Sequence, residues 1–223
     1  MLDLFFPRLC LLCGKPVGRG PVICRTCLNT LPRTEQAAHR GNLTEELFYD
    51  VPAFQRAAVF FFFKHGDKYH QLLHSMKYGR FADPAIGYIL AKEAAYDFMQ
   101  SDFFDAIDVI IPVPLHPIRL RERGFNQAEW IAKALAEATS IPMKSTLLTR
   151  IRHNEHQARL AKNERKMNVR NLFALNHPEE LYHKHILLVD DIITTGETIH
   201  ACIEALKPAR DCKISVFGLG KVQ

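Results

Sequence analysis

Residues 187–198 combine two adjacent acids with a threonine-rich turn. After the apolar run 187–189 come Asp190 and Asp191, followed by Thr194, Thr195, Gly196, Glu197 and Thr198. Free backbone N–H groups at a helix start, threonine hydroxyls and a glycine that allows close backbone approach together favour an anion such as phosphate. Carboxylates repel phosphate but accept hydrogen bonds from hydroxyl groups. The pattern therefore predicts a site for a phosphorylated ribose, with an Asp-capped helix after an ordinary strand as the alternative.

Four of the six cysteines form two pairs, Cys10 with Cys13 and Cys24 with Cys27. The start of the chain lacks a basic segment followed by a long apolar stretch, so we expect no secretory signal and a cytoplasmic location. Disulfides rarely persist in a reducing compartment, whereas two Cys-x-x-Cys knuckles can direct four sulfurs at one tetrahedral zinc ion. A structural zinc site is therefore predicted, with free thiols or two disulfides as the alternative.

Two prolines flank Val113 directly after a predicted strand. Pro112 and Pro114 restrict the backbone and end strand pairing, which predicts a rigid loop at the end of the sheet. Arg119, Arg121 and Arg123 follow, and arginine suits bidentate phosphate contacts, although a solvated basic loop explains these residues equally well. Asn126 stands where a helix begins, and it has the residue type of an N-cap.

Residues 149–171 carry seven basic and two acidic side chains, a net charge of +5 that equals the net charge of the whole chain. Such a local excess indicates an anionic partner rather than a generally basic surface. Arg150 and Arg152 begin this segment. These charges are expected for a lid over a phosphate, for a nucleic-acid contact and for a merely solvated basic helix. Phe125, Trp130 and Phe173 are aromatic residues that either stack on nucleic-acid bases or belong to the core.

Hydrophobic periodicity predicts an α/β fold. Apolar runs indicate strands within 57–63, 107–111, 147–148, 186–189 and 214–217, while helical spacing of apolar residues indicates helices over 72–76, 84–100, 126–138 and 196–206. Continuous apolar strands are typical of a parallel sheet covered by helices on both faces. We predict a zinc-binding element and linker over 1–53, with 31–53 as the linker, and a main domain over 54–223.

The overall composition is that of an ordinary globular protein. Hydrophobic residues make up 48% and charged residues 24% of the 223 residues. The sequence holds no apolar run near the roughly 20 residues of a membrane span, so no span is expected.

The stretch 186–198 resembles the fingerprint of type I phosphoribosyltransferases: four apolar residues, two acids, two variable residues, Thr-Thr-Gly, one variable residue and Thr. A wider resemblance covers nearly the whole chain. The paired cysteines, the sequence Met-Lys-Tyr-Gly-Arg at 76–80, Ile-Pro-Val-Pro-Leu-His at 111–116, Arg-Glu-Arg-Gly-Phe-Asn-Gln at 121–127 and Arg-x-x-Asn-Val at 165–169 follow one another as in the ComF family.

These resemblances imply a parallel-sheet type I phosphoribosyltransferase-like fold with a small N-terminal four-cysteine zinc element, binding phosphoribosyl pyrophosphate with Mg²⁺. Asp190 and Asp191, the residues expected to be catalytic, would hold the ribose, and Thr194 to Thr198 the 5-phosphate. Pro112, Val113, Pro114 and Leu115, with Arg123, would bind pyrophosphate. The basic segment would form a flexible lid or a nucleic-acid contact, with the positions Arg150, Arg152, Gln157, Arg165 and Asn168.

The ComF resemblance also implies a role in natural competence and in handling incoming single-stranded DNA. It implies that the zinc element docks a competence helicase or another DNA-processing protein, with a purely stabilising role of that element as the alternative. Two alternatives stay open on the sequence. One is a nucleobase phosphoribosyltransferase of nucleotide salvage. The other is a non-catalytic regulator that senses phosphoribosyl pyrophosphate.

Overall fold

Four of the five predicted strands form a parallel sheet at the centre of the protein, whereas the apolar run 147–148 belongs to a separate antiparallel ribbon. In the computed structural model, which describes residues 8–17, 22–77, 83–152 and 172–223, the strands of the sheet stand in the order β1-β6-β5-β2. Strands β3 and β4 form the ribbon. The bounds are β1 (Phe54–Phe63), β2 (Val109–Pro112), β3 (Leu148–Arg150), β4 (Phe173–Leu175), β5 (His185–Ile192) and β6 (Lys213–Val222).

Helices cover both faces of this sheet, because its strands are apolar on both sides. The bounds are α1 (Arg25–Asn29), α2 (Lys68–Lys77), α3 (Pro84–Phe98), α4 (Pro117–Arg123), α5 (Gln127–Thr139) and α6 (Glu197–Leu206). Helices α2, α3 and α5 pack on one face, and the same hydrophobic cluster includes Cys10 and Cys27 of the cysteine element. Helix α6 and the β3–β4 ribbon pack on the other face. The α/β prediction is confirmed, while α4 and β4 are elements that periodicity did not indicate.

The segment 31–53, which we predicted as a linker, covers the outer edge of β1. The backbone N–H of Phe62 donates to Pro32 at 2.9 Å, and that of Thr34 donates to Phe60 at 3.0 Å. Further along, the Arg56 guanidinium meets the Glu45 carboxylate at 3.1 Å, with both side chains at most 5% exposed. The edge strand is therefore protected from pairing with another chain. The division of the chain at 53/54 stays a prediction.

The opposite edge of the sheet is closed in a similar way. The N–H of Ile110 in β2 donates to Pro142 at 2.9 Å, and the N–H of Lys144 donates back to Ile110 at 2.9 Å. Within the described ranges, no helix is both long enough and apolar enough to cross a membrane.

Candidate functional site

Asp190 and Asp191 lie at the carboxyl end of β5, where an open parallel sheet leaves its crevice. The N–H of Asp191 donates to Oδ1 of Asp190 at 2.8 Å, and the N–H of Ile192 donates to Oδ1 of Asp191 at 2.8 Å. The Lys77 ammonium, from the last residue of α2, lies 2.7 Å from Oδ2 of Asp191. The two carboxylates are thus fixed by the local backbone and by a cation from a distant part of the chain.

Asp190 has a pKa that is shifted towards neutral pH. Burial, reinforced by the neighbouring Asp191 carboxylate, raises the pKa of Asp190 to about 7, while the positive charges of Lys77 and Arg150 oppose the rise. Two adjacent acids repel each other when both are ionised, so nearby cations decide how far the pair is charged. An ionised pair can accept several hydrogen bonds, as vicinal hydroxyl groups require.

The threonine-rich turn lies directly beyond the pair and leads into α6. Gly196 is the N-cap residue and adopts a left-handed conformation with φ 77°, which an L side chain rarely takes. Thr194, Thr195, Glu197 and Thr198 are exposed. The first backbone N–H groups of α6 lack helical partners, and the positive end of the helix dipole lies at the same place. An anion is therefore favoured here, directly after the two carboxylates in the chain.

A short 3₁₀ turn, Glu45–Phe48, supports this loop from behind. A Cβ atom on Gly196 would come within 3.1 Å of the Phe48 ring, which is fully buried. His200 of α6 packs on the same ring at 5.2 Å, and its Nε2 lies 2.8 Å from the Leu47 carbonyl oxygen. On the other side, Lys221 donates to the Thr194 carbonyl at 3.2 Å. The loop is thus held in place from two directions.

The proline-flanked loop reaches the same edge of the sheet. Pro112 pairs with Val189, and the N–H of Val113 donates to the Val189 carbonyl at 2.8 Å, so the loop lies beside the start of the acid pair. Asn126 caps α5 by accepting from the Ala128 N–H, and its Nδ2 donates to the Val113 carbonyl at 3.0 Å. The predicted N-cap is confirmed, and the same side chain also fastens the loop.

The remaining residues expected at pyrophosphate flank this loop. Pro114 and Leu115 are half-buried. Arg123 is the last residue of α4, which lies where the sequence also allowed a solvated basic loop. Its guanidinium donates a hydrogen bond to Oε1 of Gln127. Gln127 is 3% exposed, and within the described part of the chain its Nε2 has no hydrogen-bond partner. Pro114 and Leu115 therefore follow β2 at the edge of the sheet where the acid pair lies, and Arg123 is joined through Gln127 to the start of α5.

The four predicted zinc ligands converge. The sulfur atoms of Cys10, Cys13, Cys24 and Cys27 all lie within 4.8 Å of one another, and Cys13 and Cys24 are 3.7 Å apart. A tetrahedral zinc ion with Zn–S bonds of about 2.3 Å places its sulfurs about 3.8 Å apart. The N–H of Cys24 also points to the Cys10 sulfur at 3.3 Å, a contact that favours a thiolate. The four side chains therefore fit structural zinc.

Two family models match this chain. One, described as a double zinc ribbon domain, matches residues 1–40, which contain four cysteines in total and so supply one four-thiolate site. The other, described as a phosphoribosyl transferase domain, matches residues 83–217, more than half of the chain. The chain belongs to the phosphoribosyltransferase domain family. The predicted fold and zinc element are thereby confirmed.

The chain is also similar to proteins that are named for competence or for DNA utilization. Competence protein F of Haemophilus influenzae is 34% identical over 51% of this chain and 50% of its own length. Competence protein ComFC of Bacillus subtilis is 34% identical over 50% of this chain and 43% of its own length. The DNA utilization protein YhgH of Salmonella typhi is 28% identical over 86% of this chain and 74% of its own length. The resemblance to the ComF family is confirmed, while the chain aligns with only half of the length of competence protein F.

The segment predicted as a lid in this phosphoribosyltransferase domain begins in β3. The Nε atom of Arg150 is buried without a hydrogen-bond partner among the described residues, and its guanidinium lies 5.5 Å from the Phe173 ring centre. Burial lowers the pKa of Arg150, whereas the negative charge of Asp190 acts to raise it. Arg152 is exposed. Gln157, Arg165 and Asn168 lie outside the described residues, so their role stays a prediction.

Two residues at this site were not predicted to act there. Lys77 and Gln127 both lie within stretches that carry the ComF resemblance, but nothing in their own residue types indicated contact with Asp191 or Arg123. Conversely, Phe173 is 4% exposed and belongs to the core, so it is unavailable for base stacking.

Proposed function

We propose that this chain binds phosphoribosyl pyrophosphate with Mg²⁺ at the carboxyl end of β5 and acts in handling single-stranded DNA during DNA uptake. One observation carries the proposal: two fixed carboxylates end β5, and the exposed threonine-rich turn that follows them leads directly into the start of α6. The carboxylates suit the ribose hydroxyls, and the helix start suits the 5-phosphate.

The proline-flanked loop beside this pair suits the pyrophosphate end of the ligand. Mg²⁺ would bind pyrophosphate oxygens and water molecules, and would neutralise the negative charge of the departing pyrophosphate. The Arg123 guanidinium, at the end of α4, is suited to a phosphate oxygen. If transfer occurs, a nitrogen nucleophile takes the phosphoribosyl group and pyrophosphate leaves.

Calorimetric titration of phosphoribosyl pyrophosphate with Mg²⁺ tests this site. We expect saturable binding by the wild type and none by a variant with Asp190→Asn and Asp191→Asn. A variant with Glu179→Gln and Glu180→Gln is the matched control, because it also changes two adjacent acids to amides, in an exposed turn. Equal binding by all three proteins, or no binding by the wild type, would contradict the proposal.

Release of pyrophosphate separates the two alternatives. A nucleobase phosphoribosyltransferase of salvage releases pyrophosphate in the presence of a common base, whereas a non-catalytic sensor binds the ligand without turnover. No observation on the described residues favours either alternative over the DNA-handling role.

A pocket of about 340 Å³ between α4 and α5 supports the DNA part of the proposal. Phe125 and Trp130 line it, and the Lys133 ammonium lies 5.5 Å from the Trp130 ring centre. Asn126, which also lines the pocket, is bonded to the proline-flanked loop. Half-buried aromatic rings beside a basic side chain are usual elements of a single-strand contact, although here Lys133 shares the pocket with the acidic Glu129.

Trp130 is the sole tryptophan of the chain, so its fluorescence reports directly on this pocket. We expect a thymidine oligonucleotide to quench it, with an affinity that falls as salt rises because phosphate contacts release counterions. Lys133→Gln should weaken binding, whereas Lys184→Gln, an exposed lysine at the other end of the sheet, should not. Unchanged fluorescence together with salt-independent binding would contradict this part of the proposal.

The zinc element offers a surface for the protein partner, a competence helicase or another DNA-processing protein of the cytoplasm. Leu9 and Leu11 beside the cysteines are 53% and 50% exposed. A variant with Leu9→Ser and Leu11→Ser should lose binding to a purified competence helicase, while Leu43→Ser, a 60% exposed leucine outside the element, should keep it. Equal binding by both variants would exclude this surface.

A further inference from the structure

Lys77 ends α2, an element far from β5 in sequence, yet its side chain reaches the acid pair. The ammonium nitrogen lies 2.7 Å from Oδ2 of Asp191, and the two side chains are 19% and 11% exposed. The helix end is well anchored, since Leu72, Leu73 and Met76 are almost fully buried. The packing of α2 therefore places Lys77 beside the acid pair.

The charged and titratable groups at the acid pair come from four elements, namely β5, α2, β3 and α6. Asp190 and Asp191 repel each other at the end of β5, and burial adds to the cost of charging both. Lys77 of α2 and Arg150 of β3 supply positive charge, and Cys202 of α6 is a buried thiol whose pKa is raised by burial and by Asp190. Of the two cations, only Lys77 forms an ion pair with a member of the acid pair among the described residues.

Both oxygens of Asp191 have a donor before any ligand arrives. Oδ1 accepts from the Ile192 N–H at 2.8 Å, and Oδ2 accepts from Lys77. An ionised carboxylate offers about four acceptor positions, so positions remain for hydroxyl groups. A protonated carboxyl would lose part of that capacity. The charge state of the pair thus determines how well it can hold vicinal hydroxyls.

We infer that Lys77 is a positioning residue that sets the ionisation of the Asp190–Asp191 pair, an inference that rests on the proposed ribose site. By keeping the pair ionised at neutral pH, Lys77 allows it to accept hydrogen bonds from hydroxyl groups. Lys77 acts through the carboxylates, and it makes the same contribution to every ligand that carries the ribose 5-phosphate unit.

Carboxyl-carbon NMR titration of ligand-free protein tests this inference without any ligand. In Lys77→Met we expect the pKa of Asp190 to rise from about 7 by about one unit, since a cation within a few ångström typically lowers such a pKa by that much or more. Lys77→Arg should stay near the wild type because it keeps the charge. Lys68→Met, at the exposed start of the same helix, is the matched control. An unmoved titration in Lys77→Met would overturn the inference.

Binding measurements then connect the charge to the ligand. At pH 7, Lys77→Met should bind both ribose 5-phosphate and phosphoribosyl pyrophosphate about fivefold more weakly, because a pKa one unit higher reduces the ionised fraction by about that factor. At pH 9 the deficit should vanish in both cases. A deficit restricted to phosphoribosyl pyrophosphate and still present at pH 9 would mean that Lys77 contacts the pyrophosphate instead. Failure of the wild type to bind either ligand would refute the proposed function, while the NMR titration would still decide the role of Lys77.

Discussion

The contact between Gly196 and Phe48 predicts a large and specific cost for Gly196→Ala. Gly196 has φ 77°, and an added Cβ would lie 3.1 Å and 3.2 Å from two atoms of the buried Phe48 ring. An L residue in the left-handed region costs about 1–2 kcal/mol. Forcing a methyl group against a closely packed ring costs about 1–3 kcal/mol more. We therefore expect the free energy of unfolding to fall by roughly 3 kcal/mol.

Gly66→Ala is the matched control for this substitution. Gly66 has φ 81°, but no atom of the described residues lies within 4 Å of the position where its Cβ would stand. It therefore carries the backbone cost without the packing cost, and should lose only about 1 kcal/mol. The difference between the two variants isolates the contact with Phe48.

Urea unfolding followed by Trp130 fluorescence measures both variants, with zinc supplied throughout. A double variant, Phe48→Leu with Gly196→Ala, should recover part of the loss, and the coupling free energy between the two positions should be about 1–3 kcal/mol. Phosphoribosyl pyrophosphate binding should fall in Gly196→Ala and persist in Gly66→Ala. Equal losses of stability in the two single variants, or additive effects in the double variant, would show that the Phe48 ring does not constrain this loop.

Three further outcomes follow from the same structure. Arg56→Met should lower the free energy of unfolding by about 3–5 kcal/mol in urea titration, because it leaves the Glu45 carboxylate buried and unpaired, whereas a loss below 1 kcal/mol would contradict a buried pair. Burial lowers the pKa of His185 in the folded protein. As the pH falls, His185 is therefore protonated in the unfolded chain before it is protonated in the folded one. Its contribution to stability should be complete above about pH 6.5 and should decline as pH falls below that value, a decline that unfolding of His185→Gln should lack. Metal analysis should find one zinc per chain, and Cys10→Ser should lose it together with the fold of the zinc element, so a fully folded metal-free protein would refute the site.

Local sequence patterns were sufficient for the parts of this fold that depend on neighbouring residues. The apolar run before Asp190 predicted β5 because a strand covered on both faces needs apolar residues throughout. The spacing of Cys10 and Cys13, repeated at Cys24 and Cys27, predicted the cysteine cluster for the same kind of reason. In each case the chemistry and the geometry are encoded within a few residues.

Contacts between distant segments were not predictable in this way. Lys77 and Asp191 are far apart in the chain, and only the packing of α2 beside β5 brings them together. The support of Gly196 by Phe48 comes from a segment that lacks any clear period and was predicted as a linker. Helix α4 escaped prediction because it is short and strongly charged, and it has no buried residue to produce an apolar period.

The strand order has a consequence for how the protein is made. Strand β6 is the last strand of the sheet to be synthesised, yet it lies inside the sheet, between β1 and β5. Until β6 emerges, β1 lacks its neighbour in the parallel sheet. The Ile193 N–H, beside the threonine-rich turn, also lacks its acceptor, which is the Gly220 carbonyl of β6. Because loop closure over most of the chain must precede these contacts, assembly should be slow and should expose unpaired strands to aggregation. A nascent chain that stalls before β6 would therefore display both cysteine pairs and the acid pair while lacking the central strand that joins the two halves of its sheet.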